Sequence, residues 1–163
     1  MKNNEVIILS DDKGVGKTTA LVNWVNGKSN IAGFLSPIVN GKRMFLNVET
    51  QAMIPMETEQ RDLTIGKYAF DSSSFDQVEK SILKSWQETT AEFLVLDEIG
   101  PLEINKGLGF HELLLQLLIP ISTKTPKLLL VVRKDCIDAF KSKYKLNTAR
   151  ILSLHEFKKV FLK

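Results

Sequence analysis

Cysteine is almost absent: the 163-residue chain has one, Cys136. A lone thiol cannot close an intramolecular disulfide, which excludes a disulfide-stapled scaffold and leaves nothing pointing to an oxidising compartment. Cys136 follows Asp135 where a helix is expected to start, and free cysteine packs as a small apolar group, so a buried, unreactive thiol is expected. Histidine is scarce too. His111 and His155 stand apart, and no Cys/His spacing suggests zinc. Long apolar runs are missing: residues 6–9, 113–119 and 128–132 are each too short to span a bilayer. Asp11-Asp12-Lys13 follows the first of these too soon for a secretory signal. The expectation is a cytoplasmic protein without a membrane partner.

An excess of one charge is lacking as well. The formal net charge is +3, too small to argue for nucleic acid. The late basic residues Lys141, Lys143, Lys145, Arg150, Lys158, Lys159 and Lys163 read as solvated surface, with no nucleic-acid motif beside them. What is present is ordinary: 44% hydrophobic and 25% charged residues, no internal repeat and no linker. One domain over residues 1–163 is expected.

The order of elements is more informative. Residues 5–9 read as a buried strand, 18–26 as a helix stopped by Gly27, and 31–39 as a second strand. Asn40-Gly41 is a strong hairpin signal, with residues 43–49 as the returning strand. Residues 50–64 show no period beyond a short strand at 52–55, and 57–64 read as a polar surface loop. Residues 66–71 read as a strand. Ser74 with Gln77 fits a capping box for a helix that places Phe75, Val78, Ile82 and Trp86 on one face. An apolar strand at 93–96 ends in Asp97-Glu98. Phe110, Leu113, Leu114, Leu117 and Leu118 mark a helix that Pro120 ends. A strand at 127–132, a helix at 135–141, a strand at 150–154 and a helix at 155–162 complete the order. Alternating strands and helices predict an α/β fold of three layers, with a mainly parallel sheet and an antiparallel hairpin at one edge.

The strongest motif is Ser10-Asp11-Asp12-Lys13-Gly14-Val15-Gly16-Lys17-Thr18-Thr19, set between the first strand and helix. It fits the phosphate-binding pattern G-x-x-x-x-G-K-[ST], except that Asp11 stands at the first glycine. In such a loop small residues let main-chain N–H groups converge on phosphate oxygens at a helix N-terminus. The lysine reaches the outer phosphates and the following hydroxyl binds magnesium. Asp12, Lys13, Gly14, Val15, Gly16, Lys17, Thr18 and Thr19 are therefore the expected nucleotide-binding residues. Glycine at position 11 would allow a turn that side chains resist, and a carboxylate aimed at phosphates would repel them. Asp11 either points away or weakens binding, and Lys13 offsets part of its charge.

The second motif is Asp97-Glu98 at the end of an apolar strand. Asp97 suits the magnesium shell together with Thr18, through water. Glu98 suits the base that positions an attacking water. With Gly14-Val15-Gly16-Lys17-Thr18-Thr19, Ala32-Gly33-Phe34 and Ile65-Gly66-Lys67-Tyr68, the stretch from Leu96 through Asp97, Glu98, Ile99, Gly100, Pro101 and Leu102 to Glu103 resembles the small P-loop nucleoside-triphosphatase family of archaea, bacteria and animals, with its RecA-like core. The likeness runs from Val6 to about Leu154.

The resemblance implies hydrolysis of ATP, GTP and other nucleoside triphosphates to diphosphate and phosphate with Mg2+. It gives Lys17 and Thr18 the phosphate and metal roles, and Asp97 and Glu98 the acidic pair. Arg133, at the end of the strand after the acidic one, is the candidate for steadying charge in the transition state, against a plain surface arginine. Two alternatives stand beside hydrolysis. One is a non-hydrolysing or weakly active nucleotide-binding module, motivated by Asp11. The other is a small-molecule kinase, for which only Arg43 and Arg61 offer lid cations.

Overall fold

The computed structural model describes residues 5–57, 63–65, 68–88, 91–118 and 126–162. Five short apolar segments form its parallel centre: β1 (Val6–Leu9), β2 (Ile31–Leu35), β8 (Phe93–Ile99), β9 (Lys127–Val132) and β10 (Arg150–Leu152). They line up as β10-β1-β9-β8-β2. All five pair in parallel, which places every loop after a strand on one edge of the sheet. Ligands in open α/β sheets bind at that carboxyl edge.

Beyond β2 the sheet turns antiparallel. β4 (Lys42–Asn47) pairs with β2, and β3 (Ile38–Val39) and β5 (Met53–Pro55) pair with β4. Val39 faces Lys42 across the two-residue turn at Asn40 and Gly41, both at positive φ (52° and 76°), as a tight right-twisted hairpin demands. A separate ribbon joins β6 (Leu63–Ile65) to β7 (Tyr68–Phe70).

Strand alternation sends side chains to two cores. Ile8, Leu94, Leu96, Leu128, Leu130 and Val132 meet Val78, Ile82 and Trp86 of α2 (Ser72–Glu88), Leu113, Leu114 and Leu117 of α4 (His111–Leu117), and Phe140 of α5 (Ile137–Lys143). Ile7, Leu9, Val95, Leu129 and Val131 meet Leu21 and Trp24 of α1 (Lys17–Val25) and Phe157 of α6 (Leu154–Phe161). Helices on both faces make the three layers. Trp24 is a core residue, edge-on to Phe93, Phe157 and Phe161. Cys136 is buried and free, and burial pushes its thiol pKa up. Among the described residues no helix is long and apolar enough to cross a membrane.

Several boundaries differ from the sequence expectation. The run at 31–39 is broken: Ser36 and Pro37 leave the sheet between β2 and β3. Helix α2 starts earlier than the Ser74–Gln77 box implies. Asp71 is its cap, its Oδ1 accepting from the N–H (3.0 Å) and hydroxyl (2.6 Å) of Ser73, while Ser74 is buried in the helix. Strand β8 runs through Asp97 and Glu98 to Ile99, with a register shift between Leu96 and Ile99. The helix expected at 135–141 begins as a 3-10 turn over Lys134–Cys136. Helix α6 starts at Leu154 behind Ser153, whose Oγ accepts from Glu156 N while Glu156 Oε2 accepts from Ser153 N. The loop at 58–62, Gly66 and Lys67 of the expected strand, Arg61 and Pro120 lie outside the described residues.

Candidate active site

The loop after β1 enters α1 through Gly16, at φ 102°, and Gly14 sits at φ 77°. A Cβ at either glycine would meet nothing within 4 Å, so both are needed for backbone conformation rather than for packing. Helix α1 starts at Lys17, and helix geometry leaves the first amides of α1 without an intrahelical acceptor. With the positive end of the helix dipole they make a site suited to polyanions. Lys17 folds back over the loop and its Nζ donates to the carbonyls of Asp11 (3.0 Å) and Asp12 (2.8 Å). Asp12, Lys13, Gly14 and Val15 are exposed along the same loop, and Thr19 is exposed on the first turn of α1. Lys134 reaches Asp12 at 3.4 Å, a solvated pair that contributes little.

Asp11 resolves one of the two alternatives left open by the sequence. Its φ is not positive, so glycine's freedom is not required there. Its carboxylate turns away from the loop's centre: Oδ1 accepts from Asp12 N (2.8 Å) and Oδ2 from Leu154 N (2.9 Å) at the start of α6. These main-chain donors hold its pKa below the usual carboxylate value.

Opposite the loop, β8 delivers Asp97, only 1% exposed. Its Oδ2 accepts from Thr18 Oγ1 (2.9 Å) and from Ser36 N (3.0 Å), while Oδ1 is buried with no partner among the described residues. Burial, and then the charge of Glu98, push the carboxyl up to about 6. A buried acceptor without a partner is energetically unfavourable and fits a site for a cation or its hydration shell. Thr18 and Asp97 thus fit a magnesium ion, which keeps most of its waters and needs few protein ligands. Among the described residues no three His, Cys, Asp or Glu side chains gather around a metal position.

Glu98 follows at φ 65°, a left-handed conformation unusual for a non-glycine residue, inside the bulged stretch of β8. Bulges re-aim side chains, and such strain concentrates at functional sites. Arg43, on β4, meets it: Nη1 lies 3.3 Å from Glu98 Oε1 and donates to Ser36 O at 2.9 Å. Thr18, Ser36, Arg43, Asp97 and Glu98 therefore form one connected cluster.

Arg133 is not part of it. Its Nη2 pairs with Asp135 at 2.9 Å, its backbone N–H donates to Ile99 O, and its Cδ lies where a Cβ on Gly100 would meet it at 3.2 Å. The sequence reading missed Ser36 and weighed Arg43 only as a lid cation. Pro37, which cannot extend the strand, was the one local sign that residue 36 leaves the sheet.

A phosphate-type loop after one strand, an acidic pair on another and a third strand between them define a P-loop nucleotide-binding α/β protein. The chain belongs to the NTPase family, whose model matches residues 6–160. Membership carries nucleoside-triphosphate binding and hydrolysis as a general activity. Two solved structures share the fold. THEP1 from the hyperthermophile Aquifex aeolicus has a TM-score of 0.70 at 18% identity, covering 96% of this chain and 94% of that one. A human cancer-related nucleoside triphosphatase has a TM-score of 0.67 at 17% identity, covering 95% and 91%. No curated protein matches the chain.

Proposed function

We propose that this protein hydrolyses ATP, GTP and other nucleoside triphosphates to the diphosphate and inorganic phosphate, with magnesium, in the cytoplasm. One observation carries it: the buried Asp97 shares Oδ2 between Thr18 and Ser36, keeps Oδ1 without a partner among the described residues, and stands next to a conformationally strained Glu98. The main chain from Asp12 to Thr19 wraps the β- and γ-phosphates, and Lys17 exchanges its carbonyl partners for phosphate oxygens. Thr18 and Asp97 hold the magnesium, which supplies charge neutralisation to the outer phosphates when bound. Glu98 takes a proton from the attacking water as its oxygen bonds to the γ-phosphorus. The bond from that phosphorus to the β–γ bridging oxygen breaks, and the electron pair leaves on the diphosphate. Arg133, held by Asp135 at 2.9 Å and outside the cluster of Thr18, Asp97 and Glu98, has no part in this reaction.

The geometry of Asp11 removes the motive for a non-hydrolysing module, because its carboxylate is turned toward α6. The test is phosphate release from several nucleotides, with and without magnesium. Lys17→Ala is expected to abolish it. Glu98→Gln is expected to slow it by about 100-fold or more, the usual worth of a positioned base, with nucleotide affinity kept. Native rates in both variants would overturn the proposal.

A further inference from the structure

Arg43 enters the site from outside the nucleotide-binding core, and two hydrogen-bonded strands fix its backbone. Arg43 pairs with Ile38 of β3 in the antiparallel register, and its carbonyl accepts from Met56 N after β5. From that fixed point one nitrogen does two things. Nη1 donates to Ser36 O at 2.9 Å and meets Glu98 Oε1 at 3.3 Å. The side chains are only 24% and 29% exposed, so the pair is partly shielded from water. Ser36 in turn donates its N–H to Asp97 Oδ2. The guanidinium is therefore anchored to the residue that holds the metal-site aspartate while it grips the neighbouring glutamate.

We propose that Arg43 is a positioning residue for hydrolysis: it fixes the direction of the Glu98 carboxylate relative to Asp97. This rests on Glu98 being the base, as set out above. The left-handed backbone of Glu98 turns its side chain out of the regular alternation of β8, and the charged partner it meets there comes from β4. The antiparallel hairpin thereby completes the active site instead of merely edging the sheet. Phosphate binding needs none of this, since the loop after β1 makes its own contacts. Loss of Arg43 should fall on turnover, not on affinity.

The experiment compares phosphate release and nucleotide affinity in the native chain, Arg43→Ala, Glu98→Gln and the double variant. Arg43→Ala is expected to lower kcat by about 10- to 100-fold, the range that a misdirected catalytic group entails, with KM within about twofold. The double variant should be no slower than Glu98→Gln, because Arg43 acts through that carboxylate. Native turnover in Arg43→Ala, with Glu98→Gln slow, overturns the role of Arg43 and leaves the base assignment intact. Losses that multiply in the double variant also overturn it, since Arg43 would then act on the phosphates directly. Native turnover in Glu98→Gln overturns both. If Arg43→Ala loses its melting transition, Arg43→Gln, which is shorter and uncharged but keeps an unbranched stem and a polar donor, replaces it with the same expected outcomes.

Discussion

At the scale of single residues, the same carboxylate chemistry has opposite uses at Asp11 and Asp97. Asp11 is near the surface and accepts two main-chain N–H groups, so its charge is welcome and its pKa is lowered. Asp97 is buried, with one oxygen satisfied twice and the other without a partner among the described residues, and its pKa rises. The first is a brace between the phosphate loop and α6; the second is the residue proposed above to take a cation. Replacing Asp11 by glycine restores the standard loop pattern yet removes the bond to Leu154 N. Nucleotide affinity of Asp11→Gly should stay within about twofold of native, while stability falls by about 1 kcal/mol, the worth of one such hydrogen bond. Titration calorimetry and urea unfolding check the two parts. Clearly tighter nucleotide binding would mean that the carboxylate does oppose the phosphates.

At the scale of elements, what was legible in the sequence was local. The glycine loop between β1 and α1, ending at Gly16, read correctly because the pattern lies within ten residues of chain. The apolar run before Asp97 and the Asn40-Gly41 turn read correctly for the same reason. Contacts across the chain did not: Asp11 to Leu154, Ser36 to Asp97 and Arg43 to Glu98 join segments whose spacing no motif records. Helix α3 (Pro101–Lys106) was missed although its signal is local, with proline in the first turn and Glu103 returning to Gly100 N. Gly33 lies between these cases. It was legible as part of a family-like Ala-Gly-Phe triplet, but its reason is tertiary. It has φ 119° in the middle of β2, and a Cβ there would overlap the carbonyl oxygen of Val95 on β8. Neither the conformation nor the backbone neighbour can give way. Gly33→Ala should therefore lose more than about 4 kcal/mol, or fail to fold, in the range reserved for strained or overpacked sites. An unchanged urea midpoint would show that β2 and β8 can separate.

At the scale of the whole molecule, the helical layer over β8 and β9 is joined through one buried carboxyl. Glu103 is 2% exposed; Oε1 accepts from Gly100 N (3.0 Å) at the start of α3 and Oε2 from Phe110 N (3.2 Å) at the start of α4. Its own carbonyl accepts from Lys143 Nζ (2.7 Å) on α5. Burial outweighs these donors and pushes the carboxyl from its ordinary 4.5 up to about 7. The folded chain thus keeps a proton that the unfolded chain releases. Stability from this group is fully present below about pH 4.5 and is lost as pH rises through about 7. The loss is on the order of 3 kcal/mol. Asp97 shares the direction, with a window ending near its own value of about 6. Glu103→Gln cannot ionise and can offer only one acceptor oxygen, so at pH 5 it should unfold at lower urea than the native protein. As pH rises to 8 the native midpoint should fall while that of Glu103→Gln changes far less, the residual slope belonging to Asp97. The gap between the two proteins narrows because the native carboxyl ionises against its surroundings. Parallel midpoints across that range would mean that the two amide donors already hold Glu103 as the anion in the folded chain. In that case the junction of α3, α4 and α5 is held by charge-assisted bonds and not by a neutral acid.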